Sequence, residues 1–186
     1  MQTDECATTP PAGLPVEMLA ELIERSGGMR LRARGTSMRP FISDGDVIHI
    51  SRRTADELRI GDIAACVRDN GLVVHRLVGK RHGLVLKGDA LGAPDAPLES
   101  DSLLGAVTAV ETSRGTIDLT RRRARYINLF VMCYAWPFSI AMSAYGKFAD
   151  SRGLYGRAFP RRMRSAAEWL PRAAAAISAR KAPNEV

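Results

Sequence analysis

Between residues 29 and 118 the chain reads as a succession of short apolar runs, MRLRA, DVIHIS, DIAACVR, LVVHRLVG, GLVLKG and LLGAVTAVE, each closed off by turn-forming residues. The punctuation is supplied by Asp44-Gly45, Gly61-Asp62, Asn70-Gly71 and His82-Gly83. Runs this short do not make packed helices, whereas short strands joined by tight turns make a small all-β domain. Asn70-Gly71, lying between CVRD and LVVHRLV, predicts a hairpin, because that dipeptide tolerates the positive φ angles of a type I′ turn. No internal repeat interrupts the pattern and no glycine-rich phosphate loop appears in it.

The flanks read differently. From Val16 to Ser26 the apolar residues Val16, Leu19, Leu22 and Ile23 recur at helical spacing, and Gly27-Gly28 supplies a stop, which predicts a short amphipathic helix. Residues 1–15, MQTDECATTPPAGLP, are polar, acidic and proline-rich with no apolar core of a secretory signal, and are expected to form a loose, disordered leader. The expected organisation is therefore a leader at 1–15, a β domain with its N-terminal helix at 16–120, and a C-terminal region at 121–186. Cys6, Cys66 and Cys133 are an odd, scattered set without metal-ligand spacing, so unpaired thiols are expected, with no metal site and no cofactor.

The net charge of +7 favours an anionic partner, and much of the basic excess falls after residue 120, in RRRAR and RRMR. From Tyr126 to Gly146, YINLFVMCYAWPFSIAMSAYG carries no charged residue and is long enough to cross a hydrocarbon core of about 30 Å. Pro137 and Asn128 weaken a spanning helix, so spanning, lying in the interface and burial on the β domain all stay open. Beyond it, Arg157 to Lys181 reads as basic amphipathic helix broken by Pro160 and Pro171, suited to an anionic membrane surface. Basic residues on both flanks leave the positive-inside rule near balance. The leader's lack of a signal segment favours a membrane-associated protein with its β domain on the cytoplasmic side.

Within the β domain, Ser37, His75, Asp89 and Asp95 supply a nucleophile, a base and two candidate orienting carboxylates from separate runs. Serine is a poor nucleophile alone; it needs an imidazole within hydrogen-bond reach to take its proton, and a carboxylate to hold that imidazole in the right tautomer. Either a serine in a Gly-Thr-Ser turn or an isolated histidine is ordinarily structural, and His49 on an alternating strand and His82 beside a turn glycine are read that way. Met38 is expected to pack beneath the serine.

Four blocks in this order, GTSMRPFISDGDVIHI, GDIAACV, VVHRLVG and LKGDALGAPD, resemble the signal peptidase family in its endoplasmic reticulum and SipW-like branch. The resemblance covers residues 34 to about 110 and implies a signal-peptidase/LexA-like β fold. It implies Ser37 as nucleophile and His75 as base, where bacterial-type relatives carry lysine. It assigns the third catalytic place to Asp95, Asp89 to a more structural acid near the site, and Lys87 to a landmark rather than a base. The implied activity is a serine endopeptidase that cuts a precursor protein or peptide near a membrane, after small residues in an extended segment. Nucleic acid is not expected as a partner. The family commonly places a serine two positions before the nucleophile, where its hydroxyl helps hold the oxyanion; here Gly35 stands instead, leaving backbone N–H groups of Gly35, Thr36 and Ser37 as the oxyanion region.

Two rival readings remain. A LexA-type self-cleaving regulator shares the β fold and a Gly-X-Ser-Met string, and Ala12-Gly13 is similar to such cleavage sites, but residues 1–33 are short for a helix-turn-helix unit. A catalytically idle binding module would account for Gly35. If the uncharged segment anchors the protein, truncation after about Arg125 converts a membrane-pelleting protein into one that stays in the supernatant. Recovery of the full chain in the supernatant without any carbonate or salt wash would refute the anchor.

Overall fold

A computed structural model describes residues 7–8, 16–69, 71–121, 126 and 128. It shows one short N-terminal helix and an eight-stranded antiparallel sheet. The helix α1 runs Val16–Ser26 and ends at Gly27, whose φ of 73° is the left-handed conformation that terminates helices and suits glycine. Ser26 Oγ donates to the carbonyl of Leu22, closing the last turn. Leu19 and Ile23 are buried from its inner face, while Met18 and Leu22 remain half exposed.

The strands are β1 (Ala7–Thr8), β2 (Gly28–Arg32), β3 (Val47–Ser51), β4 (Ile63–Arg68), β5 (Gly71–Gly79), β6 (Val85–Lys87), β7 (Leu103–Thr112) and β8 (Gly115–Asp118). Every run singled out in the sequence carries a strand; β1 and β8 are additions. The sheet order is β1-β5-β4-β7-β3-β2, with β6 also on β5 and β8 also on β7. Register places β1 and β6 on the same side of β5, since Leu72 and Val73 face both Thr8-Ala7 and β4, while Arg76 faces both Ile63 and Lys87. The edge of β5 is thus covered by β6 at one end and by two residues of the chain's own N-terminal stretch at the other. The rest of that leader lies outside the described residues.

The β4–β5 hairpin forms where expected, but its turn sits one residue earlier. Arg68 pairs with Gly71, and Asp69, not a glycine, takes the positive φ of 46°. Aspartate is among the few residues that accept that conformation at small cost, so Gly71 is released to begin the strand.

Alternation along β4 and β5 feeds two cores. Ile63, Ala65, Leu72 and Val74 join a large cluster with Met38, Phe41, Ile48 and Val110, whereas Ala64, Cys66 and Leu77 join a smaller one with Leu58, Leu84 and Leu86. Burial on both faces explains why VVHRLV is a nearly continuous apolar run rather than a clean alternation. It also means that each polar residue on β5 must find a partner inside the protein. On the outer strands Glu111 of β7 gathers Arg30 of β2 and His49 of β3, at 2.7 and 2.5 Å. These bonds, that from His49 foremost, hold the Glu111 carboxyl below its usual range.

The C-terminal region expected to be helical and membrane-associating falls outside the described residues except at Tyr126, which is exposed, and Asn128, which is buried. No helix among the described residues is long and apolar enough to cross a membrane. Asn128 is held by the β domain, accepting a hydrogen bond from Arg76 Nη1 at 3.0 Å.

Gly105 sets the packing distance between β7 and the end of β3: a Cβ built there would stand 2.2 Å from the Ser51 carbonyl oxygen, a backbone atom that cannot swing aside. Gly105→Ala is therefore expected to cost about 1–3 kcal/mol, as overpacking does, visible as a lowered urea midpoint. Gly45→Ala serves as the comparison, since open space surrounds Gly45 and only its φ of 90° opposes a side chain. An unchanged midpoint for Gly105→Ala would contradict the close approach.

Candidate active site

Ser37 sits in the loop joining β2 to β3, and the loop's own sequence closes it. The Ala33 N–H donates to the Asp46 carbonyl at 2.7 Å and the Gly45 N–H to the Ala33 carbonyl at 2.9 Å, zipping the two ends together. Both aspartates of Asp44-Gly45-Asp46 turn inward as acceptors: Asp44 Oδ1 takes the Gly35 N–H at 2.9 Å and Asp46 Oδ2 takes the Ser43 N–H at 2.8 Å. Gly35 has φ 93°, a region where an L side chain, such as the serine the resembling family commonly carries there, is strained. Met38, Phe41 and Ile42 point down and are buried, fastening the loop to the large core.

The loop after β6 holds Ser37 from the other side. The Ala90 N–H donates to the Ser37 carbonyl at 2.8 Å, and Gly88 lies so close that a Cβ there would stand 2.9 Å from that same oxygen. The glycine of Lys87-Gly88-Asp89 is thereby a contact residue for the serine loop. Further on, the Asp95 N–H donates to the Leu86 carbonyl at 2.8 Å, and Leu84 and Leu98 exchange backbone hydrogen bonds, which folds the segment back on β6 and fixes where the Asp95 side chain stands.

Three of the singled-out residues meet in one hydrogen-bonded chain. Ser37 Oγ lies 2.9 Å from His75 Nε2, and His75 Nδ1 lies 2.6 Å from Asp95 Oδ2. Because a carboxylate only accepts, Nδ1 carries the proton and Nε2 presents its lone pair to the hydroxyl, which is the tautomer a base needs. Ser37 and His75 are 2% and 3% exposed, and the Asp95 side chain 13%. The arrangement can abstract a proton from the serine and stabilise the resulting imidazolium.

Asp89 is not in this chain. It faces Arg76, the residue next to the histidine, in a bidentate pair at 2.8 and 2.7 Å. Arg76 is 1% exposed, also donates to the Gly61 carbonyl at 2.8 Å, and stacks over the Phe41 ring at 5.1 Å from its centroid. Arg76 was not singled out in the sequence; an arginine inside an otherwise apolar strand, one position from the candidate base, was the available signal. Arg68 was missed as well: its Nη1 lies 3.6 Å from Asp95 Oδ1.

The remaining candidates take other places. Lys87 is buried, with Nζ 3.3 Å from the Gly88 carbonyl; burial lowers its pKa against the opposing pull of Asp89 and Asp95. Cys66 is a free, buried thiol whose pKa is pushed up to about 12 by burial and then by the charge of Asp95, so it is no nucleophile. Cys6 and Cys133 lie outside the described residues, as do Ala12 and Gly13. His49 is tied to Glu111 and His82 is exposed at its turn. Among the described residues no three His, Cys, Asp or Glu side chains gather as metal ligands. A small, mainly apolar cavity of about 10 Å³ lies against the serine loop, lined by Gly35, Met38, Ile42 and Val74 among others.

The Peptidase S24-like family matches residues 13–103, somewhat less than half of the chain, and this stretch contains Ser37, His75, Asp89 and Asp95. That family is part of the LexA/signal peptidase I superfamily, so the β domain is similar to a serine peptidase-like or LexA-type fold. No curated protein matches the chain.

The Arg76–Asp89 pair is expected to behave as a buried structural unit. Asp89→Asn or Arg76→Met alone leaves one buried charge without its counter-ion and should cost about 3–5 kcal/mol. The double variant Arg76→Met/Asp89→Leu removes both charges and should recover part of that loss in thermal melts. Additive losses would show that the two residues do not act as a pair.

Proposed function

We propose that the chain is a serine endopeptidase of the signal-peptidase type, with Ser37 as nucleophile, His75 as general base and Asp95 as the residue that orients the imidazole. The continuous hydrogen-bonded chain Ser37 Oγ, His75 ring, Asp95 carboxylate carries this reading. His75 Nε2 takes the Ser37 proton as Oγ attacks a peptide carbonyl carbon. The imidazolium then protonates the departing amine, leaving an acyl ester on Ser37. Water, deprotonated by the same nitrogen, attacks the ester and releases the acid, and the proton returns to Oγ. The Gly35 N–H is engaged by Asp44, so among the N–H groups expected to face the oxyanion those of Thr36 and Ser37 are the donors this reading relies on.

Two features support a substrate in extended form with small side chains. The cavity flanked by Gly35, Met38 and Val74 is apolar and only about 10 Å³, and β5, which carries His75, has an edge that already accepts a two-residue strand. The finer assignment to the endoplasmic reticulum and SipW-like branch rests on His75 standing where lysine serves in bacterial-type relatives. Action near an anionic membrane surface rests on the basic, partly uncharged C-terminal sequence.

A second reading, the LexA-type self-cleaving regulator, is favoured by one observation: Ala7–Thr8 pair with Leu72–Val73, so the chain's own N-terminal stretch lies on the strand that bears the base. Mass spectrometry of the purified full-length protein separates the two. Loss of N-terminal residues at a concentration-independent rate, absent from Ser37→Ala, marks cleavage in cis; cleavage of an added precursor with an intact enzyme N-terminus marks the peptidase.

In either case Ser37→Ala and His75→Ala should each abolish cleavage while the domain stays folded, since they act as one proton-transfer unit. Asp95→Asn should lower turnover by about three to four orders of magnitude by favouring the wrong tautomer. Activity should decline on the acid side as His75 binds a proton and loses its lone pair. Equal cleavage by wild type and Ser37→Ala would overturn the proposal.

A further inference from the structure

The register of the β4–β5 hairpin puts Arg68 on the face that carries His75. Ala64 is opposite His75, Cys66 opposite Val73 and Arg68 opposite Gly71, and residues two apart share a face. Asp95 lies over this face. One carboxylate oxygen, Oδ2, takes the His75 Nδ1–H at 2.6 Å, while the other, Oδ1, faces Arg68 Nη1 at 3.6 Å. Arg68 is at the last position of β4 with its side chain 23% exposed, so it reaches back along the sheet toward Asp95 while Asp69 draws its Nε from the other side at 3.6 Å.

We infer that Arg68 is a positioning residue of the site, acting through Asp95 to keep His75 a neutral base. This deepens the peptidase reading and rests on it for its catalytic consequence, though not for its electrostatic one. A carboxylate 2.6 Å from an imidazole favours the imidazolium, and an imidazolium cannot accept the serine proton. A fixed cation on the far oxygen of the same carboxylate offsets that pull and holds the carboxylate plane toward Nδ1. The charged and titratable groups facing Asp95 are His75 from β5, Arg68 and the Cys66 thiol from β4, and Lys87 from β6. Cys66 contributes no charge, with its pKa pushed up to about 12, and Lys87 is buried beneath, beside Asp89 as well. Arg68 is the cation on the solvent side, and being always protonated it leaves the offset unchanged across the working pH range.

The sign follows from the charge. Removing Arg68 stabilises the imidazolium, so the His75 midpoint rises and the acid limb of activity moves to higher pH. The substitution Arg68→Lys keeps the charge and should restore most of the effect; a role limited to packing would not be rescued in this way.

The experiment is a nitrogen NMR titration of histidine-labelled full-length protein, with the His75 resonances identified among the three histidines by their loss in His75→Gln. Wild type, Arg68→Gln, Arg68→Met and Arg68→Lys are compared, with Arg68→Met retaining the aliphatic contacts should the amide disturb the fold. The inference expects the midpoint to rise in Arg68→Gln and Arg68→Met, to return near the wild-type value in Arg68→Lys, and the acid limb of kcat/KM to shift in parallel. An unchanged midpoint in both neutral variants overturns it. A raised midpoint in a protein that cleaves nothing would leave the role of Arg68 standing and refute the peptidase reading instead, so the two failures are distinguishable.

Discussion

The Arg76 guanidinium is the point from which the rest of the site is positioned. Buried inside a sheet, it demands compensation on every side, and the surrounding residues are arranged to provide it. Asp89 accepts from Nε and Nη2, the Gly61 carbonyl and Asn128 Oδ1 accept from Nη1, and the Phe41 ring covers its face. Each partner belongs to a different segment: the loop after β6, the turn before β4, the residue beyond the sheet, and the serine loop. A single charge on β5 therefore fixes three loops relative to one strand, and a geometry that needs hydrogen-bond accuracy between Ser37 and His75 is built on that attachment.

The pleat of β5 divides the labour. Arg76 and His75 are adjacent and so point to opposite faces. Arg76 enters the side of the large core, where the serine loop packs through Met38, Phe41 and Ile42. His75 lies on the side of the smaller cluster, with Asp95 against it. The Lys87-Gly88-Asp89 segment serves both, since Asp89 turns to Arg76 while Gly88 and Ala90 press on the Ser37 carbonyl. Any movement of that loop would alter the base and the nucleophile together, which is why two carboxylates only six positions apart have such different tasks.

This division also explains what could be read from the sequence. The strands from MRLRA to LLGAVTAVE and the helix at Val16–Ser26 were legible because local period and turn chemistry determine them. Residue types and order singled out Ser37 and His75 with two candidate carboxylates, and only the family resemblance chose Asp95 over Asp89. The shift of the hairpin turn to Asp69 was not legible: Asn70-Gly71 is the stronger local signal, whereas the strands pair Cys66 with Val73 and Ala65 with Val74. β1 was hidden because two residues have no periodicity, and β8 because its run is short. The partners of Arg76 and Arg68 depend on chain segments brought from 13, 15 and 27 positions away and more, which no local pattern encodes.

The edge of β5 adds a last constraint on how such a site is used. A strand presenting unpaired N–H and C=O groups next to a nearly buried serine would be both a docking place and an aggregation hazard. Here β6 covers one end of that edge and Ala7–Thr8 the other, so the exposed length is short. A two-residue pairing contributes little by itself, since ordering its backbone costs about 1–2 kcal/mol per residue. Along the described residues the edge beside His75 is therefore held at both ends, by β6 through its pairing with Arg76 to Gly79 and by β1 through its pairing with Leu72 and Val73.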